Sequence, residues 1–286
     1  MIQSNYLAQK NALTVNYISL VMKPLEAVGE VNAWVQSKTN ELIKDLIPTD
    51  AVDIDTRVIL ANALYFKGAW AEKFDSSKTV DGDFHLFDGS KVQVPFMTSF
   101  KLPYKPDQFM ASFDGFKVLK LPYEADQLGR KFSMLVFLPH QRDGLSALVQ
   151  KAVSSSSFFD CHVPTRKVEI GKFMIPKFKI SSGFDASQAL QKLGLKMPFT
   201  GDADFTDMVV PSQISGNLFI SSVHHKATIE VGEEGTEASA ATAVIRRLCC
   251  YRPPVDFVAD HPFMFAIRED QSGALLFVGH VANPSL

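Results

Sequence analysis

The run from Arg57 to Trp70, RVILANALYFKGAW, is almost continuously apolar and rich in branched and aromatic residues. A half-solvated strand would alternate polar and apolar positions, so this run predicts a strand buried on both faces. Gly68 marks its end or a bulge. The chain has the material for a core on that scale, with 286 residues of which 46% are hydrophobic. That length allows one large domain or two.

Around this strand the pattern is mixed. From Glu30 to Ile47 the apolar residues Val31, Trp34, Val35, Leu42, Ile43 and Leu46 fall largely on one face at helical spacing, and Pro48 stops the pattern, which predicts an amphipathic helix. Short strand-like runs follow at Phe84 to Met97, Gly115 to Tyr123 and Lys131 to Pro139, separated by Asp-Gly, proline and charged breaks. Helices are expected at Gly144 to Val153 and at Ala186 to Leu193, with Gly194 as the stop of the second. Strands are expected at Lys167 to Ile180 and Phe219 to Val231. A terminal hairpin is expected from Phe257 to Ile267 and Ala274 to Val281, joined across Gln271-Ser272-Gly273. The class is α+β with large antiparallel sheets, and no repeat is evident.

Charge and cysteine usage narrow the function. Lys and Arg number 29 against 31 Asp and Glu, a net charge of −2, which offers no basic stripe for nucleic acid or an anionic membrane. No apolar run reaches the eighteen or so residues of a membrane span. The stretch Leu13 to Met22 is broken by Asn16 and Ser19 and lacks a basic leader, so no signal peptide is expected. Cys161, Cys249 and Cys250 are too few and too unevenly placed for a disulfide framework or a zinc site, which makes reducing surroundings the default.

The segment Glu233-Glu234-Gly235-Thr236-Glu237-Ala238-Ser239-Ala240-Ala241-Thr242-Ala243 and the downstream run Phe257 to Ile267, FVADHPFMFAI, identify the chain by resemblance. It resembles a serpin, with plant serpins of the Z type the most similar. The first segment is similar to the hinge of the family's reactive-centre loop, about residues 233–254 here, and the second to its C-terminal signature. Asn62 to Trp70, Ile175-Pro176-Lys177-Phe178 and Phe277 to Val281 match as well. The match covers about residues 30–286, whereas residues 1–29 match poorly. Full-length members run to nearly 400 residues, so on the order of 100 from the N-terminal side, including the first helices, have no counterpart here. A sheet built on the two-sided strand would then expose part of one face, which predicts marginal stability or association. The resemblance implies a serpin fold with an exposed loop, a monomer, no cofactor and no metal. It also implies inhibition of serine proteases, and of cysteine proteases as a wider possibility, inside or outside the cell.

Insertion of a cleaved loop into the main sheet is this family's general mechanism, and the handling of inward positions can be tested against it. The inward set would be Thr236, Ala238, Ala240, Thr242 and Val244, small or compact, while Glu237 has the outward parity. The bland reading of this stretch is a flexible surface linker. In the strand ending at Val231, His225 shares a face with Val223, Ala227, Ile229 and Val231 and is expected to point into the core. Asn62 shares its face with Val58, Leu60, Leu64 and Phe66. The resemblance pairs Asn62 with His225 where the sheet opens, and places Trp70, Lys177 and Glu233 where the loop enters.

The scissile bond has three candidates. Family spacing gives Cys249-Cys250, alignment on Val244-Ile245 gives Leu248-Cys249, and the basic pair Arg246 and Arg247 would suit a trypsin-like protease. A vicinal disulfide between the two cysteines would be strained. Asp260-His261 could suggest an acid-base pair, but no GxSxG motif accompanies it, so the residues point away from an enzyme.

Overall fold

In the structure, a computed structural model, residues 14–16, 24–53, 56, 58–66, 68–100, 107–205, 218–235 and 254–285 are described. The chain resolves into two compact units, Met1–Phe66 with Ile180–Ile229, and Lys67–Lys179 with Glu230–Leu286.

The first unit is built on a four-stranded sheet in the order β1 (Thr14–Asn16), β2 (Val58–Tyr65), β11 (Ile220–Val231) and β10 (Phe178–Asp185). Helix α1 (Pro24–Lys38) lays Val28, Val31 and Val35 over Ala61 and Ala63 of β2, and Ile43, Leu46 and Ile47 complete that layer. Small alanines on the strand let the helix approach closely. Among the described residues, the opposite face is covered at one end, where Val58 and Ile220 pack with Leu218, Phe199 and Phe205. Beyond that end, Leu60, Asn62 and Leu64 on β2 and Val223, His225 and Ala227 on β11 are half-buried. The sequence led us to expect an exposed part of one face, whereas these residues are partly covered rather than exposed. A short helix α4 (Ser187–Lys192) follows β10, and Gly194 beyond it takes φ +103 as a helix stop.

The helix expected to reach Ile47 ends at Lys38. The apolar spacing does continue, but Thr39 turns back to cap the helix, its Oγ1 donating to the Val35 carbonyl at 2.8 Å and accepting from the Ile43 amide at 3.1 Å. Asn40 and Glu41 then take left-handed φ of 50 and 63. Asn32 fixes the returning chain, its Nδ2 donating to the Ile47 carbonyl and its Oδ1 accepting from the Ile47 amide, each at 2.9 Å.

The second unit holds two sheets. One has the order β12 (Val255–Val258), β9 (Ile170–Pro176), β4 (Lys91–Met97), β3 (Val80–His85). The other is antiparallel, in the order β14 (Leu275–Val281), β13 (Phe263–Glu269), β7 (Phe132–Pro139), β6 (Phe116–Pro122), β5 (Gln108–Phe113), β8 (Lys167–Val168). Helices α2 (Leu145–Val153) and α3 (Phe158–Cys161) cover its inner face through Leu145, Leu148, Ala152 and Phe158, against Phe116, Phe137 and Met264. Strand β7 is buried at every position, as its unbroken apolar sequence requires.

Two expected strands are each divided. The run from Lys167 to Ile180 becomes β8, β9 and β10, which belong to three different sheets. It breaks at Lys177, whose amide goes to the Pro95 carbonyl after Pro176 has ended β9. The run from Phe257 to Ile267 breaks at Asp260-His261-Pro262. Pro262 has no amide to continue a ladder. The His261 ring instead ties the corner down, with Nδ1 to Asp260 Oδ1 at 2.8 Å and Nε2 to the Pro139 carbonyl at 2.9 Å. Asp260-His261 is thus a corner fastening.

Replacing Asn32 with alanine strands the half-buried backbone groups of Ile47. The expected loss is about 1–3 kcal/mol, measured by chemical denaturation followed through Trp34 on the same helix. A variant with an unchanged midpoint would show that the apolar layer alone sets the chain's return.

Candidate functional site

The first part of the site lies in the β2–β11 ladder. These strands run parallel and pair directly from Val58 to Tyr65, with His224 opposite Ala61 and His225 opposite Asn62. Residues that pair in register share a face, so Asn62 and His225 emerge together on the half-covered side. Asn62 Nδ2 donates to His225 Nδ1 at 3.1 Å, and the Phe184 ring meets the imidazole edge-on with the ring centroids 5.5 Å apart. A ring nitrogen that accepts carries no proton. Burial accordingly holds the His225 pKa below its ordinary value.

The expectation that His225 points into the core needs correction. Helix α1 packs on the other side of the sheet, so the enclosed neighbour is His224, 8% exposed, while His225 is only half-buried. Alternation correctly separated the two histidines but could not say which face a helix would cover.

The second part lies where β11 ends. Glu233 and Glu234 follow the strand in a turn closed by Gly235 N to the Gly232 carbonyl at 3.2 Å. Three elements hold this turn. The Trp70 indole, 1% exposed, donates from Nε1 to the Gly232 carbonyl at 2.8 Å and stacks on Tyr123 at 4.4 Å. The amides of Trp70 and Phe74 bond the carbonyls of Glu234 and Glu233 at 3.2 and 2.9 Å. The side chains complete the hold. Glu233 receives Lys177 Nζ at 2.9 Å on Oε2 and Thr79 Oγ1 at 2.8 Å on Oε1, and Glu234 pairs with Lys73 at 3.0 Å.

Electrostatics follow from this geometry. Burial by itself would raise the Glu233 pKa, but the hydrogen bonds from Lys177 and Thr79 and the lysine charge outweigh it, and the carboxyl sits below its usual range. Its contribution to stability is therefore present above about pH 4.5 and lost as the pH falls through the lower, folded value. Gly235 is the one position in the turn that admits no side chain. Its φ is +104, and a Cβ there would lie 2.5 Å from both the Gly68 carbonyl oxygen and the Trp70 amide nitrogen.

Trp70, Lys177 and Glu233 are thus brought together, and Glu234 and Gly235 join them. Thr79, Lys73, Phe74 and Tyr123 were missed from sequence. Lysine and threonine on separate segments carry no local signal, and only tertiary structure gives them a common partner. Thr236, Glu237, Ala238, Ser239, Ala240, Ala241, Thr242 and Ala243 lie outside the described residues. So do all the scissile-bond candidates, Arg246, Arg247, Leu248, Cys249 and Cys250.

With this geometry in view, comparison with known proteins is specific. The family model described as Serpin (serine protease inhibitor) matches residues 4–284, and the chain belongs to the serpin family. Its likeness is to plant members of the Z type. It is 53% identical over 264 residues to Serpin-ZXA of Oryza sativa subsp. japonica, covering 92% of this chain and 65% of the relative. It is 48% identical over 272 residues to Serpin-ZX of Arabidopsis thaliana, covering 94% and 68%. Among solved structures, Arabidopsis AtSerpin1 in its native stressed conformation superposes with a TM-score of 0.78 at 47% identity, over 92% of this chain and 67% of that one. The chain thus spans about two thirds of the length of these relatives.

Two substitutions separate the parts of the turn. Gly235→Ala is expected to displace the Trp70 backbone, read as a shift in tryptophan emission in the native protein. Lys177→Ala leaves the Glu233 carboxylate, 13% exposed, with Thr79 as its remaining side-chain partner. The loss should fall between the ~0–1 kcal/mol of an exposed pair and the ~3–5 kcal/mol of a broken buried one. Denaturant titration measures it.

Proposed function

We propose that the chain inhibits serine proteases as a suicide substrate, with residues 236–253 as bait. The observation that carries the reading is the direction of the chain at the turn. Strands β2 and β11 run parallel, and Gly235 bridges antiparallel to Ala69, four residues beyond β2. A bait segment that continued along this bridge would run against the direction of both strands. A strand added between them would pair antiparallel on each side, the geometry with the better-aligned hydrogen bonds.

The chemistry follows in order. The protease serine attacks the bait carbonyl, the peptide bond breaks, and an ester joins the two proteins while the C-terminal peptide leaves as an amine. Freed at one end, the bait enters the sheet. The Asn62–His225 bond spans the strands that must part, so both side chains would have to release each other or rearrange. The enzyme is carried with the bait and distorted. Its triad and oxyanion hole tolerate displacements of only about an ångström, so the ester is not hydrolysed.

A basic residue at Arg247 or Arg246 suits a protease with an acidic specificity pocket. Cleavage at Leu248-Cys249 or Cys249-Cys250 leaves a longer segment to insert. Incubation with trypsin and with a papain-like protease, followed by denaturing electrophoresis and mass spectrometry, distinguishes these. A complex of summed mass is expected, and the released peptide identifies the bond. Thr236→Arg, which would force a charge inward, is expected to abolish the complex while leaving cleavage intact. Cleavage of the wild-type chain without any complex would overturn the reading in favour of a simple substrate.

A further inference from the structure

Of the two adjacent histidines on β11, the one outside the Asn62 pair is the more deeply enclosed. His224 Nε2 is buried without a hydrogen-bond partner among the described residues, and so is the hydroxyl of Ser222, two residues back on the same face. Across the ladder His224 pairs in register with Ala61, whose methyl group offers no hydrogen-bond partner. On this face of the sheet, α1 packs Val28, Val31 and Val35 against Ala61 and Ala63 of β2. The Lys226 ammonium, on the same face of β11, turns away to the carbonyls of Lys44 and Asp45 at 2.6 and 3.5 Å. Asp185, at the corner between β10 and α4, supplies the negative charge felt by the ring. That carboxylate is already engaged by the Ser187 amide and hydroxyl and by the Val223 amide. His225, next in sequence, points to the opposite face and is committed to Asn62.

We propose that His224 is a proton-sensitive weak point of the β2–β11 ladder, whose protonation at mildly acidic pH loosens the pairing of these two strands. A charged imidazolium in this place would lie buried on the face that α1 covers, with only an already engaged carboxylate to offset it. Opening the ladder admits water to the ring, so the proton binds the open form more tightly than the closed one.

The sign follows from the same contacts. Burial holds the His224 pKa below its ordinary value and the Asp185 charge only partly opposes it, while His225 is lowered by burial. In an opened or unfolded chain both rings protonate near pH 6.5. Ladder stability is then constant above that pH and falls as the pH drops toward the folded values. Asp185 and Glu233 are themselves lowered and titrate below this window. Each histidine can raise the opening equilibrium by at most about tenfold per pH unit. An easier entry for a further strand would follow only if the inhibitor reading holds, whereas the ladder's response to protons stands without it.

Hydrogen exchange at the β2 and β11 amides of the full chain, at pH 7.5 and 5.5 and corrected for intrinsic rates, tests the proposal. In the wild-type protein, opening should increase severalfold at the lower pH. His224→Phe should remove most of that increase, leaving the part due to His225. His224→Gln, polar and non-titrating, should do the same if phenylalanine disturbs the fold. A wild-type ladder indifferent to pH, or variants that keep the full response, would overturn the proposal. So would NMR of the ring showing that it charges near pH 6.5 while the ladder stays closed. Covalent trapping is scored separately on gels, so failure of either idea is distinguishable from failure of the other.

Discussion

The pairing of β2 with β11 is the constraint on which the rest of the first unit depends. Two parallel strands cannot be joined by a tight turn, and their partnership is brought about by chain distant in sequence. Its apolar side chains alone do not define how firmly it is closed. One face is covered by α1, while the other carries half-buried Leu60, Leu64, Val223 and Ala227 around the Asn62–His225 bond. On that less protected side, a directional bond between side chains adds order that burial does not supply.

At the end of β11 the physics differs. The turn from Gly232 to Gly235 is held by Trp70, by backbone amides of Trp70 and Phe74, and by two ion pairs of unequal exposure. Glu233 is the better enclosed of the two acids, so its partners Lys177 and Thr79 matter more than Lys73 does to the half-exposed Glu234. Glycine at 235 is required by contact and by φ together. This arrangement fixes Gly232 to Gly235 at the end of β11. Fixed anchorage of this kind is what the proposed bait segment would need if its released end is to enter a neighbouring ladder in register.

Much of this was legible in the sequence, for physical reasons that can be named. The continuous apolar character of β2 and β7 reported burial on both faces, and alternation along β11 separated His224 from His225. The resemblance paired Asn62 with His225 and, separately, Trp70 with Lys177 and Glu233, each across more than a hundred residues, which no local pattern could do. Other features were hidden. The apolar spacing beyond Lys38 continued at helical period, yet Thr39 and two left-handed residues ended the helix there. The strand runs through Lys177 and through His261 read as continuous because a proline or a charged residue can lie at a strand end or within an edge. Thr79 and Lys73 were invisible because their roles arise only from the acids they meet. His225 rather than His224 was expected to face the core because periodicity identifies two faces and leaves open which one a helix will cover.

The central claim, that the closed ladder can accept the segment beyond Gly235 as a further strand, is tested most directly by unfolding the chain before and after a single cut within residues 236–253. An inserted strand adds ladder hydrogen bonds and buried area to the folded state. The midpoint of thermal or denaturant unfolding should therefore rise on cleavage, with both fragments remaining associated. A cleaved chain that unfolds at or below the midpoint of the intact one would contradict the claim.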